Sequence, residues 1–218
     1  MSDDTETPDE APAVDPDDLL PPDSAYPDGY DVSREDLPNV QNPESAEFTN
    51  VDPPECAPLT DHEPDLSVLD EMEMAAQLAE PEDLNPIYTF VVFTDVPPES
   101  EVEDELAGVD EELLAHCSDM TVEDTDTDSV FHMSLDYFHP DAPGVDGAFS
   151  TTTEGTGMAS QVRLTARFAV GEMNDVHFLL TSVRPYAPEE SLDQARIQSG
   201  NEEFGEVLDE TVQPLLEL

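Results

Sequence analysis

Acidic side chains outnumber basic ones by 55 to 5 in this 218-residue chain, and that imbalance restricts its folding more than any other feature. A formal net charge of −50 opposes compaction at ordinary ionic strength, because like charges repel across the whole surface. At about 1 M salt the Debye length falls to roughly 3 Å, and most of that repulsion is screened. All five basic residues are arginine (Arg34, Arg163, Arg167, Arg184 and Arg196), and lysine is absent. Dense carboxylates with no long lysine stems fit a chain that folds in molar salt, as in an extreme halophile or a virus infecting one. The rival reading, an acidic disordered tail, suits only the first part of the chain. Further along, carboxylates punctuate strand and helix patterns instead of replacing them.

The same composition sets other limits. Two cysteines, Cys56 and Cys117, are too few for a disulfide framework. No run approaches the 18 or so apolar residues of a membrane helix. The start, MSDDTETPDE, lacks the basic and apolar stretches of a secretory signal. A virion or the cytoplasm of a halophilic host is the expected setting. Neither a membrane nor nucleic acid is an expected direct partner, since phosphate neutralisation needs a basic surface.

Proline divides the chain: residues 1–86 hold 14 of the 21 prolines. Residues 1–64 show no sustained period, and turn and polyproline signals such as Asp52-Pro-Pro-Glu55 recur. They read as an extended acidic Pro-rich arm without a core of its own. Leu19, Leu20, Val32, Leu37, Val40 and Val51 recur singly along it, with Tyr26, Tyr30 and Phe48 as its rings. Such isolated anchors suit a segment that orders on another surface, and the three rings are the candidate partner-binding residues. Residues 65–86 read as a short helix and linker, with Asp65 as cap, Leu69, Met72, Ala76 and Ala79 on one face, and Pro81 as the stop.

Residues 87–218 carry the patterns of a folded domain. Ile87–Thr94 is almost continuously apolar, β-branched or aromatic, which suits a central strand with Phe90 and Val92 fully buried. Ser100 and Glu103 form a capping-box pattern for a helix carrying Val102, Leu106, Val109 and Leu113, to about His116. Residues 118–128 read as an acidic connection. Phe131, Met133, Leu135 and Tyr137 alternate with polar residues as one strand. A Gly/Ser/Thr-rich loop is expected over about 139–160. Val162–Val170 and Val176–Val183 then form a hairpin around Gly171–Asp175. A helical region from about Pro188 is expected to break at Gly200-Asn201. The predicted fold class is α+β: a mainly antiparallel sheet in β-α-β-β-β-α order, covered by helices.

The sequence offers little for catalysis. Gly-x-Ser-x-Gly, His-Glu-x-x-His and phosphate-binding Gly-Lys-Ser/Thr patterns are all missing. Gly155-Thr-Gly157 lacks the third glycine of a dinucleotide loop. His116-Cys117 has no second pair at zinc spacing. His132 and His139 flank a strand bearing Asp136, which an exposed sheet face explains without a metal; His62 and His177 stand alone. Glu123–Asp128 alternates like a calcium loop but lacks its sixth-position Gly and closing Glu. No cofactor and no metal are expected. Four arginines fall between positions 163 and 196, and Arg163, Arg167 and Arg184 are the candidate ion-pairing cluster. Such a cluster can clamp the domain's own acids, pair with a neighbouring subunit or hold an anion. These features together suggest a non-enzymatic assembly protein, such as a capsid, neck or tail accessory of a haloarchaeal tailed virus, with other protein subunits as partners. The alternative is a cellular small-ligand or regulatory partner-binding domain with a disordered acidic tail, in which a pocket lies between sheet and helix.

Overall fold

The computed structural model describes residues 14–35, 50–60, 73–82, 85–94, 111–124, 129–156, 161–187, 190 and 192–218. In chain order the strands are β1 (Tyr30–Glu35), β2 (Asn50–Asp52), β3 (Glu73–Pro81), β4 (Ile87–Thr94), β5 (Asp119–Asp124), β6 (Ser129–Tyr137), β7 (Val145–Thr156), β8 (Gln161–Met173) and β9 (Val176–Pro185). Helix α1 spans Glu111–His116 and α2 spans Gln194–Leu216, with short 3-10 helices at Pro16–Leu19, Asp23–Ala25 and Pro54–Leu59. The nine strands form one sheet in the order β1-β3-β4-β9-β8-β7-β6-β5-β2. Every neighbouring pair is antiparallel.

This overturns the expected helix-covered β-α-β-β-β-α order: the described residues are mostly a nine-stranded antiparallel sheet with one long C-terminal helix. Four local readings account for the difference. Residues 73–81 have high helix propensity, yet they form β3, where Ala75, Gln77 and Ala79 turn inward between β1 and β4. Propensity is a weak prior, and burial in a sheet overrides it here. The acidic connection contains β5, whose Met120 and Val122 are buried while Asp119 faces solvent. The Gly/Ser/Thr loop is largely β7, a polar strand between β6 and β8. Gly155 is strand and not flexible loop, because the Phe131 ring lies over it; a Cβ there would come within 2.2 Å of that ring.

The supposed arm is also part of the domain. β1 and β2 form the two edges of the sheet, and Leu19, Ala25 and Tyr26 enter its main core. The boundaries drawn at 64 and 86 therefore cut through the sheet. Leu37, Val40, Phe48, Asp65, Leu69, Met72 and the capping box at Ser100–Glu103 lie outside the described residues.

Where the pattern was strong, the strands lie as expected. β4 sits inside the sheet between β3 and β9, with Phe90 and Val92 fully buried. The β8–β9 hairpin closes on Asn174-Asp175, both at positive φ (53° and 63°), a two-residue turn whose twist matches the strands. Asn174 also donates to the carbonyl of Leu215 at 2.7 Å, satisfying an end of α2.

The sheet carries two cores on opposite faces. On one face α2 brings Phe204, Leu208, Val212 and Leu215 against Phe90, Phe178 and Leu180. Following the register from Leu180 through Ala169 to Arg167 places all three on that face. Phe131 and Met133 belong to the other face, aligned through Thr153 with Leu164. There the Pro54–Leu59 turn and Leu113 of α1 cover β5 and β6, and Cys56 is bonded to Cys117. The two cysteines thus make a single bridge within a second, smaller core.

Candidate functional site

Four of the five arginines converge where the ends of β8 and β9 meet the start of α2. Arg163 stands directly opposite Glu154 on β7, and its Nε donates to Glu154 Oε1 at 3.0 Å. Its Nη1 donates to the carbonyl of Glu190. Arg196 donates to Glu190 Oε1 at 2.6 Å, while the Ala187 N–H donates to the other carboxylate oxygen at 2.9 Å. Those two donors hold the Glu190 carboxyl below the usual carboxylate range, the backbone bond contributing most. Arg184 lies 3.9 Å from Glu203. Two guanidinium groups lie over the Tyr186 ring, Arg184 5.5 Å and Arg196 5.0 Å from its centroid.

Arg167 is different in kind. It is only 1% exposed, its Nε donates to Asn201 Oδ1 at 2.9 Å, and its Nη2 donates to the carbonyl of Ile197 at 3.3 Å. Burial lowers its affinity for the proton, partly offset by Tyr186, Tyr88 and Glu203. A guanidinium stays charged in any case, so it must be held by acceptors. Gly200 supplies the room: a Cβ there would stand 2.0 Å from Arg167 Nη2. The pair expected to break the helix, Gly200-Asn201, is instead the socket through which α2 grips the sheet, and α2 runs unbroken over it. The arginines thus meet the domain's own carboxylates and helix carbonyls.

Beside this network, a groove separates the first half of α2 from β6 and β7. One lobe, of about 590 Å³, has Phe138 and Pro140 on one wall and Asp141, Glu202, Glu206 and Asp209 around it. A second lobe of about 440 Å³ is lined by His132, Ser134, Ser150, Thr152 and Glu154 among others. The two share Asp136 and Gln194 in their linings, so they adjoin one another. Among the described residues no arginine lines either lobe. The hydroxyls face carboxylate or carbonyl oxygens: Ser134 donates to Asp119 at 3.0 Å and Ser150 to the carbonyl of Asp136 at 3.5 Å. His132 Nδ1 lies 3.1 Å from Thr121 Oγ1, and His139 packs edge-on against Tyr137 at 4.8 Å. Such a surface suits hydrogen-bond donors and positive charge.

The partner-binding rings fall elsewhere. Tyr26 is 5% exposed and donates to Gln77 Oε1 at 3.2 Å. Tyr30 donates to the carbonyl of Pro86 at 2.9 Å. Both rings pack on Tyr88, at 6.1 and 5.7 Å. They are anchors, but in a pocket of their own chain; Phe48 lies outside the described residues. Burial pushes the Tyr26 and Tyr88 phenols above their ordinary range, with Asp23 adding to the first and Glu203 to the second.

Among the described residues no group of three or more His, Cys, Asp or Glu is placed to hold a metal. Cys117 is bonded to Cys56, which removes the His116-Cys117 pair as a ligand set. Glu123 and Asp124 are strand residues of β5, so the calcium-loop alternation has no loop there; residues 125–128, like His62, lie outside the described set. Sequence reasoning missed Glu190, Tyr186 and Gly200. Tyr186, set within two residues of Arg184 and near Arg196, was the available signal. The groove had none, because carboxylates occur everywhere in the chain.

Fold and site together define an antiparallel-sheet domain with a polar groove under its long C-terminal helix. No protein-family model and no curated protein matches the sequence. Among solved structures the chain is similar to an uncharacterized protein from Mycobacterium smegmatis, at 13% identity and a TM-score of 0.50, over 87% of this chain and 92% of that one. It is also similar to the extracellular domain of PknH from Mycobacterium tuberculosis, at 10% identity and a TM-score of 0.43, over 86% of this chain and 84% of that one. The first likeness is one of fold alone. Among the described residues no helix is long and apolar enough to cross a membrane.

Proposed function

We propose that this chain is a salt-adapted, non-enzymatic binding domain whose site is the groove between α2 and β6–β7. The observation that carries the reading is the groove itself: two adjoining concave lobes at the junction of sheet and helix, lined by carboxylates and amides, with apolar Phe138 and Pro140 on one side. Concave sites of this size at the edge of a packed helix are where ligands commonly bind. The occupant is a group bearing amines or guanidiniums, from a small molecule or a basic peptide. In molar salt long-range attraction is screened, so affinity must come from short hydrogen bonds and apolar contact. The Cys56–Cys117 bridge supports work in an oxidising setting, outside the cytoplasm.

Assembly into a virus particle is the weaker reading. It needs an arm whose rings anchor on another chain, and Tyr26 and Tyr30 are packed in their own domain. Titrating the full chain in molar KCl with a short arginine-rich peptide and with spermidine, followed by calorimetry, tests the binding proposal. Saturable heat that disappears in a Glu202→Gln/Glu206→Gln variant with an unchanged melting temperature is the expected result. No saturable binding, or binding indifferent to that variant, sinks it.

A further inference from the structure

We infer that the Cys56–Cys117 bridge is a redox-controlled clasp: breaking it releases β2 and the Pro54–Leu59 turn from one end of the sheet, while the half covered by α2 stays folded. The first ground is separation. The main core lies on the α2 face, and the small core of Val51, Cys56, Cys117, Met120 and Val122 lies on the opposite face at the far end. Among the described residues the two cores share no member.

The second ground is how β2 is held. It is an edge strand of three residues, paired to β5 only through Asn50, Val51 and Asp52. Edge strands this short add little pairing energy of their own. The bridge ties the turn that follows β2 to the start of β5, across a sequence separation of 61. The chain between the two cysteines runs through β3 and β4, on the other side of the sheet. Without the bond, β2 and its turn return to the sheet only by closing that long loop.

The third ground is access. Both cysteines are 0% exposed, so a reductant reaches the sulfurs only after this end has opened. A dithiol then supplies two electrons and two protons. The Sγ–Sγ bond breaks, two cysteine thiols form, and the dithiol leaves as its own disulfide. Reduction therefore fixes an opening that was transient. It leaves the outer edge of β5 without its partner strand, and Phe131, Met133 and Leu135 without part of their cover.

Hydrogen exchange of the full chain in molar KCl tests this, comparing oxidised protein, protein treated with dithiothreitol, and a Cys56→Ala/Cys117→Ala variant. Peptides covering 50–60 and 117–124 should exchange about tenfold faster or more once the bond is gone, with β8, β9 and α2 unchanged. Uniform acceleration across the chain, or a double variant that does not fold, shows one cooperative unit and overturns the proposal. Unchanged exchange at 50–60 in the double variant overturns it as well. So does a bridge that dithiothreitol reduces only when the whole protein unfolds.

Discussion

The two ends of the sheet solve the same problem by different means. At the α2 end, rings and branched side chains such as Phe90, Phe178, Leu180, Phe204 and Leu208 are buried to 1% exposure or less, and Arg167 is plugged into the helix. At the β2 end the core has, among the described residues, five buried members, and two of them are the bridged cysteines. A chain so crowded with carboxylates has limited apolar surface to distribute. It concentrates that surface where a long helix can cover the sheet and secures the remaining edge covalently. A closed loop of this length is worth about 4 kcal/mol by chain entropy, comparable to one large core side chain.

Salt should have the largest effect on this comparison. The full chain should show cooperative unfolding by circular dichroism above roughly 1 M salt, weakening sharply below about 0.2 M as screening is withdrawn. Residues 87–218 alone are the wrong object for this test, because they lack β1, β2 and β3. A melting temperature that ignores salt would show that repulsion does not limit either end.

Single-site changes should then separate the ends. Phe90→Ala removes a ring stacked 6.3 Å from Phe178 and should lower stability by about 3–5 kcal/mol in salt-matched denaturant titrations. Cys56→Ala/Cys117→Ala should lower the stability of the β2 end by about 2–4 kcal/mol and leave the transition of the α2-covered half in place. If the bridge matters far more than the ring, the division between a packed end and a stapled end is mistaken.

Two glycines of α2 sharpen the account of the packed end. Gly200→Ala forces a Cβ into the Arg167 guanidinium and should destabilise by about 1–3 kcal/mol despite better helix propensity. Gly205→Ala meets nothing nearer than Pro140 at 3.6 Å and should stabilise by up to about 1 kcal/mol. Equal effects at the two positions would mean that the Arg167 socket is not what positions the helix.

The smallest expected effect is on pH. Glu190 is held below the usual carboxylate range, so its contribution is complete above its unfolded value and lost as pH falls through its lowered folded value. Glu190→Gln should flatten the acid limb of a melting-temperature profile slightly and leave the neutral region nearly unchanged. The buried phenols act at the other limb with the opposite sign. Tyr26 and Tyr88 resist ionisation when folded, so stability falls as pH rises past about 10, where unfolded tyrosines ionise. An acid limb unaffected by Glu190→Gln would show that α2 does not rely on this carboxylate.

What the sequence by itself determined was whatever a short window can encode. The charge imbalance needs no structure to be read. β4 was legible because Ile87–Thr94 is apolar on both faces, and the β8–β9 hairpin because its alternation flanks a polar turn. The gathering of arginines was visible as a cluster in sequence, though not its partners. Only the tertiary structure decided the rest. Ala75, Gln77 and Ala79 favour a helix locally and become strand because β1 and β4 offer them a buried slot. Gly200 is a helix-breaker until a guanidinium from β8 needs its missing side chain. Tyr26 and Tyr30 are anchors in either reading, but which surface they anchor to depends on Tyr88, some 60 residues away in sequence. Cys56 and Cys117 become a bridge only because the topology returns the chain from β4 to the far edge of the sheet. Each of these outcomes turns on a contact between distant segments, and burial at such contacts outweighs the few tenths of a kcal/mol by which local preferences differ.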